Sequence, residues 1–174
     1  TIYIVIPVYN RKTYTRDCIN SLKKQTYTNH VVIVVDDGSS DGTEDMLRTE
    51  FPEVVQIKGN GNYWWTKSTN EGVKYALEHG NPEDLLLTLN NDLIVQESNY
   101  LTILLNTHNE NSQALIGSLN MDIQNRFTIY DGGVQINKWL AKYHYINKGK
   151  NITDVRIKSI RLLPVSVLPG RGTL

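Results

Sequence analysis

Four short apolar segments lie in the first half of the chain, and none of them contains a charged residue. They are Ile2–Ile6, Val31–Val35, Val54–Ile57 and Leu85–Leu89. Segments this short and this uniformly apolar predict strands covered on both faces, as in the middle of a parallel sheet. Leu85–Leu89 is therefore predicted to be a central strand. Pro7 is predicted to close the first strand, because proline cannot donate to a central ladder.

Helical spacing of apolar residues fills the intervals between these strands. The first predicted helix is capped by Thr13, with Tyr14, Cys18, Ile19 and Leu22 inward, and the second is opened by a capping box of Asp41 and Glu44, with Met46, Leu47 and Phe51 inward. The third covers about Lys67–His79 and buries Val73, Ala76 and Leu77. The fourth runs across Tyr100–Leu105. Strand and helix thus alternate four times, which predicts an α/β fold with a mostly parallel sheet flanked by helices.

The rhythm changes in the last third of the chain. Shorter segments at Ala114–Leu119, Phe127–Tyr130 and Val134–Ile136 predict a small antiparallel addition, and Val165–Leu168 predicts a last strand. Because no linker or repeat interrupts the pattern, we expect a single domain over residues 1–174.

Composition excludes several classes of function. Lysine plus arginine and aspartate plus glutamate number 18 each, so the net charge is zero, which argues against nucleic-acid binding. Cys18 is the only cysteine, so no internal disulfide can form and a reducing, cytoplasmic location is expected. No apolar run approaches membrane-spanning length, although peripheral association at the inner face of the membrane stays open.

Polar residues follow three of the four predicted strands, and a glycine–asparagine repeat follows the other. The segments are Tyr9-Asn10-Arg11, Asp36-Asp37, Gly59-Asn60-Gly61-Asn62 and Asn90-Asn91-Asp92. Since the carboxyl ends of parallel strands meet at one edge of a sheet, these segments are expected to converge on one crevice. Single acidic pairs are common, but four such strand ends together favour a binding site.

Each residue type has a chemical role in such a crevice. Tyr9 could stack on a base, and Asp36 could accept a hydrogen bond from a pyrimidine N–H. Asn90 and Asp92 offer hard oxygen ligands to Mg²⁺ or Mn²⁺. Arg11 and Lys67 could neutralise phosphate. Three further features could contribute: close backbone approach at Gly59, Gly61 and Asn62, a wall of Tyr63, Trp64 and Trp65, and a hydrogen bond from Asn70 to a sugar hydroxyl or phosphate.

Structural interpretations of the same residues remain open. Asn and Asp commonly end strands in Asx turns, a lone basic residue is commonly solvated, and an aromatic triplet is commonly core or interface. Asn70 could equally be a helix cap.

The segments together also carry a family resemblance. Ile4-Val5-Ile6-Pro7-Val8-Tyr9-Asn10-Arg11, Val34-Val35-Asp36-Asp37-Gly38-Ser39-Ser40-Asp41-Gly42-Thr43, Asn70-Glu71-Gly72 and Leu89-Asn90-Asn91-Asp92 resemble the ordered signature of family 2 glycosyltransferases with the GT-A fold. Gly59–Thr66 and the closing Pro169–Leu174 are similar to a rhamnosyltransferase-like branch of that family.

The resemblance implies a nucleoside-diphosphate sugar donor, UDP or dTDP, with Pro7, Tyr9 and Asp36 around the base and ribose. It implies a divalent metal on Asp92 that bridges the diphosphate, an inverting displacement, a saccharide or lipid-linked acceptor, and a role in bacterial polysaccharide biosynthesis. The full set of predicted donor-binding residues is Pro7, Tyr9, Asn10, Arg11, Asp36, Asp37, Gly61, Asn62, Lys67, Asn70, Asn90 and Asn91, with Asp92 and Asn90 as metal ligands.

Two departures from the family pattern matter. The metal motif is usually Asp-x-Asp, and Asn90 in its first position removes one negative charge. The family's catalytic base and acceptor site come from a later segment, and no Asp or Glu follows Asp154. The base is therefore left unassigned, and the chain is expected to stop before the acceptor-binding segment.

Two alternatives to the enzyme remain at this point. One is a donor-binding module without catalysis. The other is a nucleotidyltransferase of similar topology, which would want a glycine-rich loop after the first strand where this chain has Tyr9-Asn10-Arg11-Lys12.

Overall fold

The computed structural model describes residues 1–154, 162, 164–166 and 168. The chain divides into two compact units, residues 1–115 and residues 116–173. Each unit is described by itself.

A four-stranded parallel sheet forms the centre of the first unit. Its strands are β1 (Ile2–Val8), β2 (His30–Asp36), β3 (Val55–Lys58) and β4 (Leu85–Thr88), in the spatial order β3-β2-β1-β4. The predicted parallel sheet is confirmed. The prediction that Leu85–Leu89 is a central strand is wrong, because β4 pairs with β1 alone within the described chain. Its apolar character reflects the burial of Leu87 and Leu89 and does not indicate a second neighbouring strand.

Pro7 lies inside β1, so the predicted end of the first strand is wrong. Its Cα pairs with that of Val35. In this ladder the carbonyl of Val5 accepts a hydrogen bond from Leu89, at the end of β4. Pro7, two residues further, faces the same side, where β4 has already ended at Thr88. The missing N–H therefore breaks no ladder bond, which is the condition under which a sheet tolerates proline.

Helices connect and cover the strands of this unit. They are α1 (Lys12–Leu22), α2 (Thr43–Glu50), α3 (Trp64–His79) and α4 (Tyr100–Glu110). As predicted, Cys18, Ile19 and Leu22 of α1 and Met46 and Leu47 of α2 are buried, together with Phe51 just after α2.

The predicted cap of α1 is wrong. Thr13 lies inside the helix, and the residue before the helix is Arg11, in a left-handed conformation with φ of 61°. The first amide of the helix, that of Lys12, donates to Oδ2 of Asp41 at 2.7 Å. A carboxylate from a distant loop therefore does what a local cap was expected to do. Tyr14, predicted to face inward, is exposed.

Only half of the predicted capping box forms at α2. Asp41 accepts from the amide and the hydroxyl of Thr43, at 3.1 and 2.6 Å, but the residue before the helix is Gly42. Glu44 pairs with Lys58 of β3 and does not return to the helix start.

Helix α3 begins three residues before the predicted start at Lys67, and its inward face differs from the prediction. Ala76 is buried as predicted, but Leu77 is 79% exposed, and Gly72, which was not predicted to face inward, is buried. A Cβ on Gly72 would overlap a methyl group of Val5 and lie 3.2 Å from Val35 Cγ2. The helix therefore lies so close to the sheet that only small residues fit between them.

The second unit contains two antiparallel pairs of strands. These strands are β5 (Asn120–Met121) with β6 (Ile129–Asp131), and β7 (Val134–Asn137) with β8 (Lys142–Tyr145). The antiparallel addition is confirmed, but the predicted strand at Ala114–Leu119 does not form. Of the predicted strand at 165–168, position 167 lies outside the described residues and the other three form no strand; Pro169–Leu174 also lies outside them. No helix in the described part of the chain has the length and apolarity needed to cross a membrane.

Candidate functional site

The loops that follow β1 and β2 are hydrogen-bonded to each other. The amide of Asn10 donates to Oγ of Ser39 at 2.7 Å, and Oδ1 of Asn10 accepts from the amide of Ser40 at 2.9 Å. Asn10 and Arg11 are both left-handed, with φ of 57° and 61°, a conformation that Asn tolerates better than most residues. Asn10 therefore holds the loop after β1 against the loop after β2.

The loop after β1 also reaches the end of β4. Nη1 of Arg11 lies 3.5 Å from Oδ2 of Asp92, a long and largely exposed ion pair. Residues that are eighty-one positions apart in the sequence are thus placed together by the parallel sheet. The predicted convergence of Tyr9, Asp36 and Asp92 on one edge is what the structure shows.

The two carboxylates at the end of β2 have different partners. Asp36 Oδ1 accepts from the amide and hydroxyl of Ser39, at 2.9 and 2.5 Å, in a tight local turn. Asp37 accepts three backbone N–H groups, from Gly61 on Oδ1 (2.9 Å) and from Tyr63 and Trp64 on Oδ2 (2.8 and 2.9 Å). Asp37 therefore ties the glycine–asparagine segment and the start of α3 to the sheet.

The glycine–asparagine segment needs its glycines for this arrangement. A Cβ on Gly59 would lie 2.6 Å from Oδ1 and 2.8 Å from Cα of Asp37, and Gly61 has φ of +86°. Only glycine permits both the close approach and the left-handed backbone.

A cavity of about 330 Å³ opens beside this connection. It is lined by Pro7, Val8, Tyr9, Asp37, Gly61, Trp64, Trp65 and Ser68. Tyr9 is 60% exposed and Trp64 81% exposed, so two aromatic rings stand free at the opening. The volume lies at the lower end of the range of ligand pockets, about 300–1,000 Å³. The lining is aromatic with one buried carboxylate, a composition suited to a planar, hydrogen-bonding ring.

The three residues after Leu89 point in different directions. Asn90 Oδ1 accepts from Nε1 of Trp65 at 3.0 Å, which joins the end of β4 to the cavity wall. Asn91 is buried, and its Nδ2 donates to Oγ1 of Thr15 in α1 at 3.0 Å. Asn91 therefore faces the protein interior and not the cavity.

Asp92 carries a buried oxygen without a partner. Its Oδ2 faces Arg11, whereas Oδ1 is inaccessible to solvent and makes no hydrogen bond. An unpartnered carboxylate oxygen removed from water is costly, so this oxygen is a candidate ligand for a cation. The charge of Asp92 also acts on the buried thiol of Cys18. Burial, and secondarily the charge of Asp92, raise the pKa of this thiol to about 12.

The residues at the end of β4 fit a divalent cation that binds mainly to a substrate. Mg²⁺ is commonly held by one or two carboxylates with waters and phosphates completing its shell. The free oxygen of Asp92 and the amide oxygen of Asn90 can supply such a partial set. No group of three or more His, Cys, Asp or Glu side chains able to hold a metal occurs among the described residues.

Nine predicted site residues lie outside the cavity lining: Asn10, Arg11, Asn90, Asn91 and Asp92, described above, and four more. Asn62, Lys67 and Asn70 are exposed, and Asp36 is buried beneath the turn. Nζ of Lys67 lies 4.0 Å from the ring centroid of Tyr63. Asn70 lies in the second turn of α3 and not in the first, because the helix begins at Trp64.

Sequence reasoning missed two residues of the cavity wall, Val8 and Ser68. Val8 continues β1 beyond Pro7, so the assumed strand end concealed it. Ser68 follows Trp64 by four residues on α3, a spacing that places both on one helix face once the true helix start is known.

Comparison with known families gives a match over nearly the whole chain. The family described as Glycosyl transferase family 2 matches residues 3–168.

Curated relatives match shorter stretches. Glycosyltransferase GlyG of Streptococcus pneumoniae is 26% identical over 122 residues, 67% of this chain and 38% of that protein. An uncharacterized glycosyltransferase of Rickettsia prowazekii, RP339, is 54% identical over 59 residues, 33% of this chain and 19% of that protein. The chain therefore spans well under half the length of these relatives.

Solved structures share the fold. Staphylococcus aureus TarS in complex with UDP-GlcNAc gives a TM-score of 0.59 at 23% identity, over 70% of this chain and 34% of that one. The mannosyltransferase PcManGT of Pyrobaculum calidifontis, in complex with GDP-Man and Mn²⁺, gives 0.57 at 17% identity, over 68% and 35%. These likenesses confirm the predicted GT-A fold.

Proposed function

The chain belongs to glycosyl transferase family 2, and from this premise we propose that it holds the donor site of an inverting glycosyltransferase. The enzyme would transfer a sugar from a UDP or dTDP donor to a saccharide or lipid-linked acceptor in polysaccharide biosynthesis. The donor class is supported by the UDP-GlcNAc and GDP-Man complexes of proteins with the same fold. We further propose that residues 1–174 form the nucleotide-sugar-binding part of a longer protein.

The observation that carries the proposal is the position of the aromatic cavity relative to the free oxygen of Asp92. Trp65 lines the cavity and donates to Asn90, two residues before Asp92. A nucleotide whose base lies against Tyr9 would thus have its phosphates directed toward the end of β4. A nucleoside diphosphate has this combination of a flat, hydrogen-bonding ring and a distant anionic group.

Individual residues then take separate roles. Pro7 and Tyr9 would contact the base from the cavity wall. Asp36 lies under the neighbouring turn and would offer Oδ2 to the base or ribose, because Ser39 occupies Oδ1. Arg11 is exposed enough to turn from Asp92 toward a phosphate. Lys67, Asn62 and Asn70 are available to the ribose, phosphates or sugar from the exposed face of α3 and the preceding loop.

Other predicted donor residues act through the scaffold. Asn10 and Asp37 hold the loops together, Gly61 permits their approach, and Asn91 anchors the end of β4 on Thr15. These residues position the site and need not contact the donor.

Asp92 and Asn90 would hold the divalent cation, Mg²⁺ or Mn²⁺. When bound, such an ion offsets the negative charge that develops on a leaving nucleoside diphosphate. Oδ1 of Asp92 would be available to it, and Asn90 is held in place through the indole of Trp65. Since Asn90 lacks a charge, Asp92 supplies the negative charge of the protein ligands.

Calorimetric titration tests the proposal directly. We expect UDP or dTDP to bind with micromolar affinity in the presence of Mn²⁺ and about tenfold or more weakly after Asp92→Ala, as for the loss of a metal-site residue. Asp45→Ala is the matched control, because Asp45 is an exposed aspartate paired only with Arg48. Failure of UDP, dTDP and GDP to bind, with or without Mn²⁺, would refute the donor site.

Binding without turnover would support the alternative of a donor-binding module. This alternative is worth testing because the chain matches only 38% of the length of GlyG. Release of free nucleoside diphosphate in the presence of acceptor glycans separates transfer from binding. Release of pyrophosphate from a nucleoside triphosphate would instead identify a nucleotidyltransferase.

A further inference from the structure

The charges of the chain are segregated between its two units. Residues 1–115 contain nine Lys and Arg against fifteen Asp and Glu, a net charge of −6. Residues 116–174 contain nine Lys and Arg against three Asp and Glu, a net charge of +6. The net charge of zero for the whole chain therefore conceals a strongly basic second unit. The argument against nucleic-acid binding, which used the overall charge, does not apply to this unit by itself.

The hairpin of β7 and β8 in this unit has one apolar face and one polar face. Residues opposite each other in the ladder share a face: Val134 with Tyr145 and Ile136 with Tyr143 on one side, Gln135 with His144 and Asn137 with Lys142 on the other. All of β8 is exposed. Tyr143 and Tyr145 thus form an uncovered aromatic strip that runs along the hairpin toward its turn.

The turn of the hairpin presents a tryptophan and a leucine to solvent. Trp139 is 98% exposed and Leu140 is 63% exposed. Their amides both donate to Oδ1 of Asn137 at 3.1 Å, and Ala141 is left-handed with φ of 50°. The backbone under these two side chains is therefore fixed by the Asn137 side chain, so their exposure belongs to the folded turn.

Basic residues surround the exposed apolar side chains. Lys138 and Lys142 flank the turn and are both exposed. Nζ of Lys148 lies 5.0 Å from the ring centroid of Tyr145 and 5.6 Å from that of Tyr130. In residues 134–150 there are four lysines and no acidic residue. An apolar tip flanked by Lys138 and Lys142, with a further lysine beside Tyr145, matches a surface with negative headgroups above hydrocarbon.

From this arrangement we propose that the β7–β8 hairpin binds the surface of an anionic lipid bilayer, with Trp139 and Leu140 inserted at headgroup level. Indole and phenol rings partition to this depth because each has an apolar body and a polar edge. The flanking lysines lie where they meet lipid phosphates, with their aliphatic stems along the apolar layer. This inference does not depend on the donor site, since none of its residues lines the cavity.

Vesicle co-sedimentation tests the proposal. The chain binds phosphatidylcholine–phosphatidylglycerol vesicles at low salt and binds pure phosphatidylcholine vesicles much less. Lys138→Gln with Lys142→Gln lowers the partition coefficient about 25-fold, at about fivefold for each lysine near the surface. Lys24→Gln with Lys74→Gln, two exposed lysines of the first unit, is the matched control and changes it little.

Insertion has its own readout. Brominated lipids in the vesicles quench the fluorescence of Trp139, and this quenching disappears in Trp139→Phe but persists in Trp64→Phe. Trp139→Ala with Leu140→Ala weakens binding about tenfold or more, whereas Leu77→Ala, an equally exposed apolar residue of α3, does not.

Three outcomes would overturn the proposal. They are absence of binding to anionic vesicles at low salt, equal binding to both vesicle types, and binding without quenching of Trp139. Competition by soluble heparin together with absent quenching would assign the basic surface to a soluble polyanion. Donor affinity measured on the same lysine variants stays unchanged if membrane binding and donor binding are separate. Failure of the membrane proposal would therefore leave the donor-site proposal standing, and the reverse holds as well.

Discussion

Replacing Asp37 by alanine removes the acceptor of three backbone amides at once. The carboxylate is 4% exposed and receives the N–H groups of Gly61, Tyr63 and Trp64 at 2.8–2.9 Å. Two of these amides belong to the entrance of α3, where no side chain of the helix itself provides a cap. We therefore expect a loss both of global stability and of the local order of the cavity wall.

The size of the effect follows from these bonds. A hydrogen bond to a charged group contributes about 1.5–3 kcal/mol, and the loss of a helix cap costs about 1 kcal/mol. Because water can reach part of the loop once the side chain is gone, the three bonds are not additive, and we expect Asp37→Ala to lower the free energy of unfolding by about 3–4 kcal/mol. Asp37→Asn keeps one carbonyl acceptor and is expected to cost about half as much.

Urea denaturation followed by circular dichroism measures this difference. Asp45→Ala is the control, because this exposed residue should change the free energy of unfolding by less than about 0.5 kcal/mol. Nucleotide affinity should fall in Asp37→Ala even where the protein remains folded, since Gly61, Trp64 and Asp37 share the cavity wall. A loss below about 1 kcal/mol with unchanged affinity would show that Asp37 does not organise this loop.

Three further changes test separate parts of the first unit. The pKa of Cys18 is raised to about 12 by burial and by Asp92, so its thiol should resist a thiol reagent at mildly alkaline pH in the native protein and react fully in concentrated urea. Rapid labelling of the native protein would contradict the packing of α1. Gly72→Ala should lower the free energy of unfolding by about 1–2 kcal/mol, because the methyl group meets Val5; a gain of about 1 kcal/mol, as helix propensity alone predicts, would contradict the close approach of α3 to the sheet. Burial alone would raise the pKa of Asp41, but hydrogen bonds from the Thr43 side chain and the Lys12 backbone lower it below its ordinary 3.8. A depressed pKa in the folded state stabilises above pH 3.8 and loses that contribution as the pH falls through the folded value. Asp41→Asn should therefore show a shallower acid destabilisation below pH 3.8 in urea titrations, and an unchanged slope would contradict the assignment.

The parallel sheet could be predicted because its information is local. Runs such as Ile2–Ile6 and Val31–Val35 contain their own evidence of burial, and the strand–helix alternation then leaves few topologies. Convergence of the polar segments follows from parallel strand direction alone, and needs no knowledge of side-chain contacts. The position of Leu85–Leu89 at the sheet edge could not be predicted, since hydrophobicity reports burial and not the number of paired neighbours.

Helix starts were predicted less well because their caps come from distant loops. Thr13 has the right chemistry for a local cap, but the amide of Lys12 is satisfied by Asp41, twenty-nine residues away. Asp37 does the same for α3 from a distance of twenty-six and twenty-seven residues. Local patterns contain no signal for such partners, so the start of α3 and the inward position of Ser68 were both missed.

The polar strand ends looked equivalent in the sequence but differ in how their oxygens are used. Asp37 has both oxygens occupied by backbone amides, and Asn91 is bonded to Thr15 inside the protein. Asp92 alone among the described side-chain carboxylates has a buried oxygen with no donor. A folded chain satisfies nearly every buried polar atom, so we infer that the saturated carboxylate belongs to the scaffold and that the unsatisfied one is the better candidate for a ligand. On this reasoning Asp37 builds the crevice, and Asp92 is the carboxylate that we propose for the divalent cation.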